Sequence, residues 1–322
     1  MEHATSPDAP RISEIRRLLG TRIACLLSIK EADLSLSLLS ESTLTDHGST
    51  VVLIGDSESA RRAVILLSAQ TFPLAIERAM SCASRAKAFL GAELGRRILD
   101  PVTVDRLNGL SYAVLPYCDP ISYSRSVWWS QKILLGPALF DWLWQVNRQT
   151  LSDLPPEKVN TVFLQPLRRM ATMPHFQATV RAAASRSIAR LESGNWTPKS
   201  VLMHGDLWKG NVLLTPSNGK SSFNWLSDNF AVIDWGGSLL CGYAIYDLVR
   251  LGQSFGLRAG AFSSEIHRHC KLLDCDAIDA QSYLLSALGD FAERLERFPL
   301  SRYLSLVDGC FTVLERLVPH RR

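Results

Sequence analysis

The hydrophobic pattern shifts from mainly strand-like to mainly helical at Pro116–Pro120 (PYCDP), and this constrains the fold more than any other feature. Strands repeat every two residues and helices every 3.6, so a change of period separates two kinds of layer. Upstream, Leu34–Ser40 alternates apolar residues with Ser. Thr50–Ile54 and Ala63–Leu67 flank Gly55-Asp56-Ser57-Glu58, and Pro101–Asp105 and Tyr112–Leu115 flank Asn108-Gly109. Such Gly- and Asn-containing pairs supply the conformations that hairpin turns need. One helix, from about Leu74 to Leu99, separates the third strand from the fourth. Downstream, helical spacing predicts helices over 122–150, 157–172, 175–193, 243–255, 262–273, 278–295 and 301–317, with short strands and turns between Val201 and Trp235.

These elements predict an α+β chain of two lobes: a small antiparallel β-sheet with one inserted helix, then a larger, mainly helical lobe. The expected boundaries are a disordered tail over 1–10, an N-terminal lobe over 11–116, a hinge over 117–121 and a C-terminal lobe over 122–322. A length of 322 residues agrees with about two such units.

Composition narrows the function. Lys and Arg number 35 against 31 Asp and Glu, a net charge of +4, and no long basic run concentrates it. Nucleic acid is therefore not an expected partner. The 7 cysteines form no C-x-x-C pair, and no signal peptide is evident at the N-terminus. Both features predict a cytoplasmic protein with free thiols. The longest apolar stretch, Ile133–Val146, contains Pro137 and Asp141, so no stable membrane insertion is expected. Ile12, Ile15, Leu18, Leu19 and Ile23 form one face of an N-terminal helix whose other faces carry Arg16, Arg17 and Arg22. It is either a membrane-surface helix or, the favoured reading, a helix packed on its own domain.

The chemistry concentrates in Val201–Leu251. There His204-Gly205-Asp206-Leu207-Trp208-Lys209-Gly210-Asn211 precedes Ile233-Asp234-Trp235-Gly236, Gly242 and Asp247. Phosphoryl transfer from ATP needs a carboxylate to orient the acceptor hydroxyl and oxygen ligands to hold Mg²⁺. Kinases place an Asp and an Asn five residues apart in one loop, with a metal-binding Asp before a Gly further on. Asp206 and Asn211 have that spacing. An apolar strand at Val212–Leu214 and a polar loop over 215–229 suggest a hairpin that returns Asp234 beside Asn211.

HGDLWKGN, then IDWG, then G-x₄-D closely resembles the aminoglycoside phosphotransferase and choline kinase superfamily, which has the protein-kinase-like fold. The motifs cover about 50 residues, and the lobe order extends the resemblance to about 30–318. The resemblance implies ATP and Mg²⁺ as cofactors and a small hydroxylated molecule as acceptor. It makes Asp206 the catalytic Asp, Asn211 and Asp234 the Mg²⁺ ligands, and His204 a brace for the loop. It makes Asp247 the holder of loop amides, and gives Tyr117 and Cys118 backbone contacts to adenine. Lys209, inside the loop, is either a second catalytic group that neutralises the transferred phosphoryl or a solvated side chain. Trp208 and Trp235 either shape the acceptor site or pack.

One departure stands out. A kinase of this type uses a basic residue on the third strand, paired with a Glu on the next helix. The strand Arg61–Gln70 has no Lys, and the expected position falls at Leu66 or Ser68. Glu77 is the candidate helix Glu. Lys87 and Lys209 are candidate substitutes, and the alternative is an inactive pseudokinase with a binding or regulatory role. Nor does 40–48 resemble a Gly-rich phosphate loop. His267, His269, Cys270 and Cys275 cluster at spacings that match no common zinc pattern. The tail over 250–322, with 10 basic and 9 acidic residues, is too neutral to predict a polycationic acceptor, although Asp274, Asp276 and Asp279 form a local acidic group.

Overall fold

The computed structural model describes residues 9–40, 49–56, 60–216, 229–293 and 299–316. It begins with helix α1 (Ala9–Leu27), followed by strands β1 (Ser35–Ser40), β2 (Thr50–Gly55) and β3 (Arg61–Leu67). Helix α2 (Ala75–Gly95), β4 (Thr103–Leu107) and β5 (Leu110–Pro116) complete the first lobe. The five strands form one antiparallel sheet in the order β1-β2-β3-β5-β4. The predicted strands fall where expected, within two to three residues at each end. Asn108 and Gly109, with φ of 50° and 84°, make the β4–β5 turn. The tail assigned to 1–10 lies outside the described residues except for Ala9 and Pro10, which open α1. The 41–48 segment and most of the polar 215–229 loop also lie outside them.

Period-two alternation gives the sheet two apolar faces. Val52, Ile65 and Val114 point to one side and pack on Ile15, Leu19 and Ile23 of α1. Val51, Val64 and Leu66 point to the other and line a cleft. Arg16 donates to the Leu34 carbonyl at 2.7 Å and Arg22 pairs with Asp105 at 2.5 Å. The N-terminal helix therefore buries its apolar stripe in its own domain, the second of the two readings of its sequence. No described helix is long and apolar enough to cross a membrane.

Helix α2 ends at Gly95, earlier than predicted, and is kinked at Gly91 (φ 68°, ψ −173°). Side chains from the second lobe take the carbonyls around the break. Gln149 donates to the Leu90 carbonyl at 2.7 Å and the Trp142 indole to that of Leu94 at 3.3 Å. The chain then leaves the helix, and the Arg97 carbonyl accepts from Val232 N–H at 2.7 Å. The two lobes are thus stitched together behind the cleft.

The second lobe opens with β6 (Asp119–Pro120) and α3 (Arg125–Thr150). It continues through β7 (Ser152–Asp153), a helical run over 156–172 that includes one π-turn, and α4 (Ala178–Glu192). Strands β8 (Lys199–Met203), β9 (Val212–Leu214), β10 (Phe230–Val232) and β11 (Leu239–Gly242) follow. Helices α5 (Tyr246–Ser254), α6 (Ala259–Leu273), α7 (Ala277–Phe291) and α8 (Leu300–Glu315) close the chain. Two small antiparallel sheets, β10-β9-β6 and β11-β8-β7, carry the chemistry-bearing loops. In the core, Phe163 meets Trp196, Tyr243 and Tyr283 edge to face at 5.5, 5.3 and 5.6 Å. Such geometry suits the ring quadrupoles.

The acidic group has a structural use. Asp276 caps α7 through the Ile278 and Asp279 amides, and Arg190 binds Asp279 at 2.8 and 3.1 Å and Asp276 at 3.0 Å. The His–Cys group does not converge: His267 is exposed while His269 and Cys270 are buried. Among the described residues, no three His, Cys, Asp or Glu side chains are grouped as metal ligands. His269 is a core histidine whose Nδ1 lies 2.9 Å from the Glu265 carbonyl. Burial pushes its pKa from 6.5 down to about 4. Its folded pKa is below its unfolded one, so unfolding takes up a proton as pH falls from 6.5 toward 4. Native stability therefore drops across that window. Replacing it (His269→Gln) is expected to remove up to ~1.4 kcal/mol per pH unit of this slope, read from urea midpoints at several pH values.

Candidate active site

The site starts from a carboxylate with no solvent around it. Asp247 lies in the first turn of α5 and is buried. Its Oδ2 accepts the His204 N–H at 2.6 Å and its Oδ1 the Gly205 N–H at 3.0 Å. Burial pushes its pKa from 3.8 up to about 7, against the pull of these amides. The loop that leaves β8 is thereby fixed at its first two residues. Gly205 has φ 89°, and a Cβ there would lie 2.6 Å from the Gly237 carbonyl oxygen, so this turn requires glycine.

His204 continues the chain of contacts. Its Nε2 lies 2.9 Å from the Ile233 carbonyl, and its Nδ1 accepts the Asp206 N–H at 3.2 Å. A carbonyl can only accept, so the ring proton sits on Nε2. Burial pushes the imidazole pKa down to about 4, which keeps it neutral. Its ring lies 4.6 Å from that of Trp235. One side chain thus joins the 204–211 loop to the segment that carries Asp234.

That segment returns as the sequence suggests. Strands β9 and β10 pair from Val212↔Val232 to Leu214↔Phe230, and Ile233 N–H donates to the Asn211 carbonyl at 2.9 Å. Asp234 follows in a left-handed conformation (φ 64°, ψ 57°). Its carboxyl pKa is raised by burial first and by the charge of Asp206 second, while the Gly236 N–H lowers it. Asn211 Nδ2 donates to the Asp206 carbonyl at 2.8 Å and lies 3.4 Å from its Oδ2. The Asp206 side chain is 48% exposed and hence open to a ligand. Asn211 and Asp234 both border the cleft. Their oxygens, with two mutually repelling carboxylates close by, suit a hard divalent cation.

Arg250 completes the group, and the sequence analysis did not single it out. Its Nη2 reaches Asp206 Oδ1 at 3.2 Å from α5. The available signal was spacing: Asp247 and Arg250 are three apart and share a helix face, so one element supplies both the loop clamp and the carboxylate partner.

The cleft, about 500 Å³ in volume, runs from Tyr117 and Cys118 to Asn211 and Asp234. Tyr117 N–H donates to the Arg62 carbonyl at 3.1 Å, so this amide is not available to a ligand. Burial raises the Cys118 thiol to about 11. On β3 the residues that line the cleft are Arg61, at the strand's start, and Val64 and Leu66 further in. Ser68 is unavailable because its hydroxyl accepts the Ile76 N–H at 3.0 Å and pairs with the Ser111 hydroxyl at 2.7 Å. Glu77 turns away and is clamped by Arg106 of β4 at 2.7 and 2.9 Å. Ile76, Ala79 and Met80 present an apolar helix face to the cleft instead. Neither candidate lysine reaches β3. Lys87 binds the Ile98 carbonyl at 3.2 Å and Asp100 at 2.5 Å. Lys209 Nζ sits 5.2 Å from the centre of the Trp128 ring, and its N–H donates to the Ser254 hydroxyl at 2.9 Å. Trp235 is buried packing, whereas Trp208 is 37% exposed and lines a small cavity with Tyr123 and Lys209 beside the loop.

Comparison with known proteins extends the picture. The family APH, described as the phosphotransferase enzyme family, matches residues 88–269. No curated protein matches the chain. Among solved structures, a thermostable mutant of an aminoglycoside phosphotransferase in apo form is similar with a TM-score of 0.54 at 14% identity, over 91% of this chain and 98% of that one. A choline/ethanolamine kinase family protein from Mesorhizobium loti gives 0.52 at 13% identity, over 94% and 96%. A putative fructosamine-3-kinase from Haemophilus somnus gives 0.51 at 12% identity, over 94% and 97%. The likeness to these structures is one of fold, and the bilobed arrangement is common to all.

The Asp247 clamp makes a stability prediction. Asp247→Ala removes the acceptor of two loop amides and is expected to cost roughly 2–5 kcal/mol. Asp247→Asn keeps one accepting oxygen and is expected to cost less. Urea denaturation midpoints of both variants check the order.

Proposed function

This chain belongs to the phosphotransferase enzyme family, and on that premise we propose that it transfers the γ-phosphoryl group of ATP to a hydroxyl of a small molecule. The observation that carries this reading is the convergence of Asp206, Asn211 and Asp234 at the inner end of the cleft. Residues 11–116 are the nucleotide lobe, 117–121 the hinge around the Tyr117 and Cys118 backbone, and 122–322 the catalytic and acceptor lobe.

Asp206 is the catalytic base. Arg250 and Asn211 each touch one of its carboxylate oxygens, which orients it toward the acceptor hydroxyl. As the acceptor oxygen bonds to the γ-phosphorus, the bond to the bridging β–γ oxygen breaks and ADP leaves. The hydroxyl proton passes to Asp206. Asn211 and Asp234 would hold Mg²⁺, which supplies the positive charge that the phosphate oxygens require. His204 and Asp247 keep the loop in register and touch no reactant. Lys209, held over Trp128 beside the loop, is placed to offset charge near the acceptor.

The acceptor is read as a sugar or other hydroxylated metabolite. Asp276 and Asp279 are committed to the α7 cap and Arg190, so they make no anionic pocket for a polycation. All seven cysteines are free thiols, which supports a reducing, cytoplasmic setting. A second reading, a pseudokinase that binds without turnover, draws on Leu66 standing where a basic residue is expected and on Glu77 being held by Arg106.

Two measurements separate the readings. ATP with Mg²⁺ is expected to raise the melting temperature by several degrees at saturating ligand, with a smaller rise in Asp234→Asn. Asp206→Asn is expected to keep that rise and to lose ~10²–10⁴-fold in phosphoryl transfer across a panel of hydroxylated acceptors. A rise without transfer by the native chain would favour the pseudokinase.

A further inference from the structure

Among the described residues the third strand offers the cleft no lysine to meet a nucleotide's phosphates, and the walls show which cations are near. A second cavity of about 550 Å³ adjoins the cleft and shares Ser49, Ile76, Ala79 and Asp234 with it. Among the described residues, the basic side chains that line the two cavities are Arg61 and Arg78. Arg61 is held at the hinge end, where its Nη1 donates to the Tyr117 hydroxyl at 2.5 Å and its guanidinium lies 5.4 Å from that ring's centre. Arg78 stands at the other end, in the cavity bordered by Asp234 and Gly236. It is exposed, and no ion pair or side-chain hydrogen bond engages it among the described residues. Its chain neighbour Glu77, the nearest candidate partner, is held by Arg106.

We propose that Arg78 of α2 is the phosphate-binding cation of this protein, in place of a third-strand lysine. The inference rests on reading the cleft as a nucleotide site. Ala79, the next residue, packs at the Asp234–Trp235–Gly236 turn: a Cβ built on Gly236 would lie 3.4 Å from the Ala79 Cβ. Helix α2 therefore brings Arg78 to the turn that carries the metal-binding carboxylate. A guanidinium presents two parallel N–H donors to a pair of phosphate oxygens, and its delocalised charge suits an exposed rim. A lysine at Leu66 would stand in a cleft wall shared with Ile76 and Met80, without the helix glutamate, which Arg106 holds. A cation at the helix rim leaves that apolar lining intact.

The test is calorimetric titration of the full chain with Mg·ATP and, separately, with adenosine. Arg78→Ala is expected to weaken ATP binding by roughly tenfold or more while leaving adenosine binding unchanged. Arg78→Lys, which keeps the charge but loses the bidentate fork, is expected to fall between. Equal ATP affinity in the native chain and Arg78→Ala would overturn the assignment and leave the nucleotide reading standing. If the native chain bound neither ATP nor adenosine, the nucleotide reading would fall and the assignment with it. Arg78 is exposed, so circular dichroism spectra of the variants are expected to match the native one.

Discussion

A single buried carboxylate sets the geometry on which the site depends. Asp247 cannot be hydrated, and its charge is tolerated because the backbone amides of His204 and Gly205 point at it. Those contacts decide where β8 ends and the loop begins. His204 then passes the constraint to Ile233, and Ile233 N–H passes it to Asn211. The result is a closed circuit of hydrogen bonds from α5 through the loop to β10 and back. The carboxylates of Asp206 and Asp234 are carried by this circuit, whereas Asn211 is part of it through its carbonyl and its Nδ2. That division matters, because groups that must meet a substrate work best when their rotamers are set by neighbours.

The first lobe solves a different problem. Its sheet has two apolar faces, one covered by α1 and the other forming the roof of the cleft. A cleft lined by Val51, Val64 and Leu66 and by Ile76, Ala79 and Met80 of α2 avoids the desolvation cost of a buried ion pair. The helix glutamate is released from the cleft and finds Arg106 at the sheet's edge, where the pair is half exposed and contributes little to stability. Positive charge is displaced from the centre of the roof to its rim. Ligand affinity and stability are thereby assigned to different side chains.

Much of this was legible beforehand. Period-two runs with Asn-Gly or Gly-Asp turns located all five strands of the sheet, because a strand with both faces covered still has to bend at a turn of defined chemistry. The spacing of Asp206, Asn211 and Asp234 pointed to the candidate site, and the β9–β10 hairpin does return the chain beside Asn211. Arg250 went unnoticed because a half-buried arginine in a helix looks, in one dimension, like any solvated one. The acidic group at 274–279 and the His–Cys group were equally ambiguous. Proximity in sequence says nothing of where side chains point, and here they cap a helix and fill a core. The two-residue strands β6 and β7 have no periodicity to detect.

By itself the sequence determined the fold class, the order of its elements and the residues proposed for phosphoryl transfer, since local patterning and motif spacing are properties of the chain alone. Only the tertiary structure decided which charges are available. Lys87, Glu77, Arg61 and Arg190 all have the chemistry to bind a ligand or its phosphates. Each is instead committed to a partner up to 89 residues away in sequence. Arg250 is brought to Asp206 across 44 residues by the packing of α5 under the loop. Long-range pairings of this kind follow from how elements pack, because a side chain's partner is fixed by the surface it is pressed against and not by its neighbours along the chain.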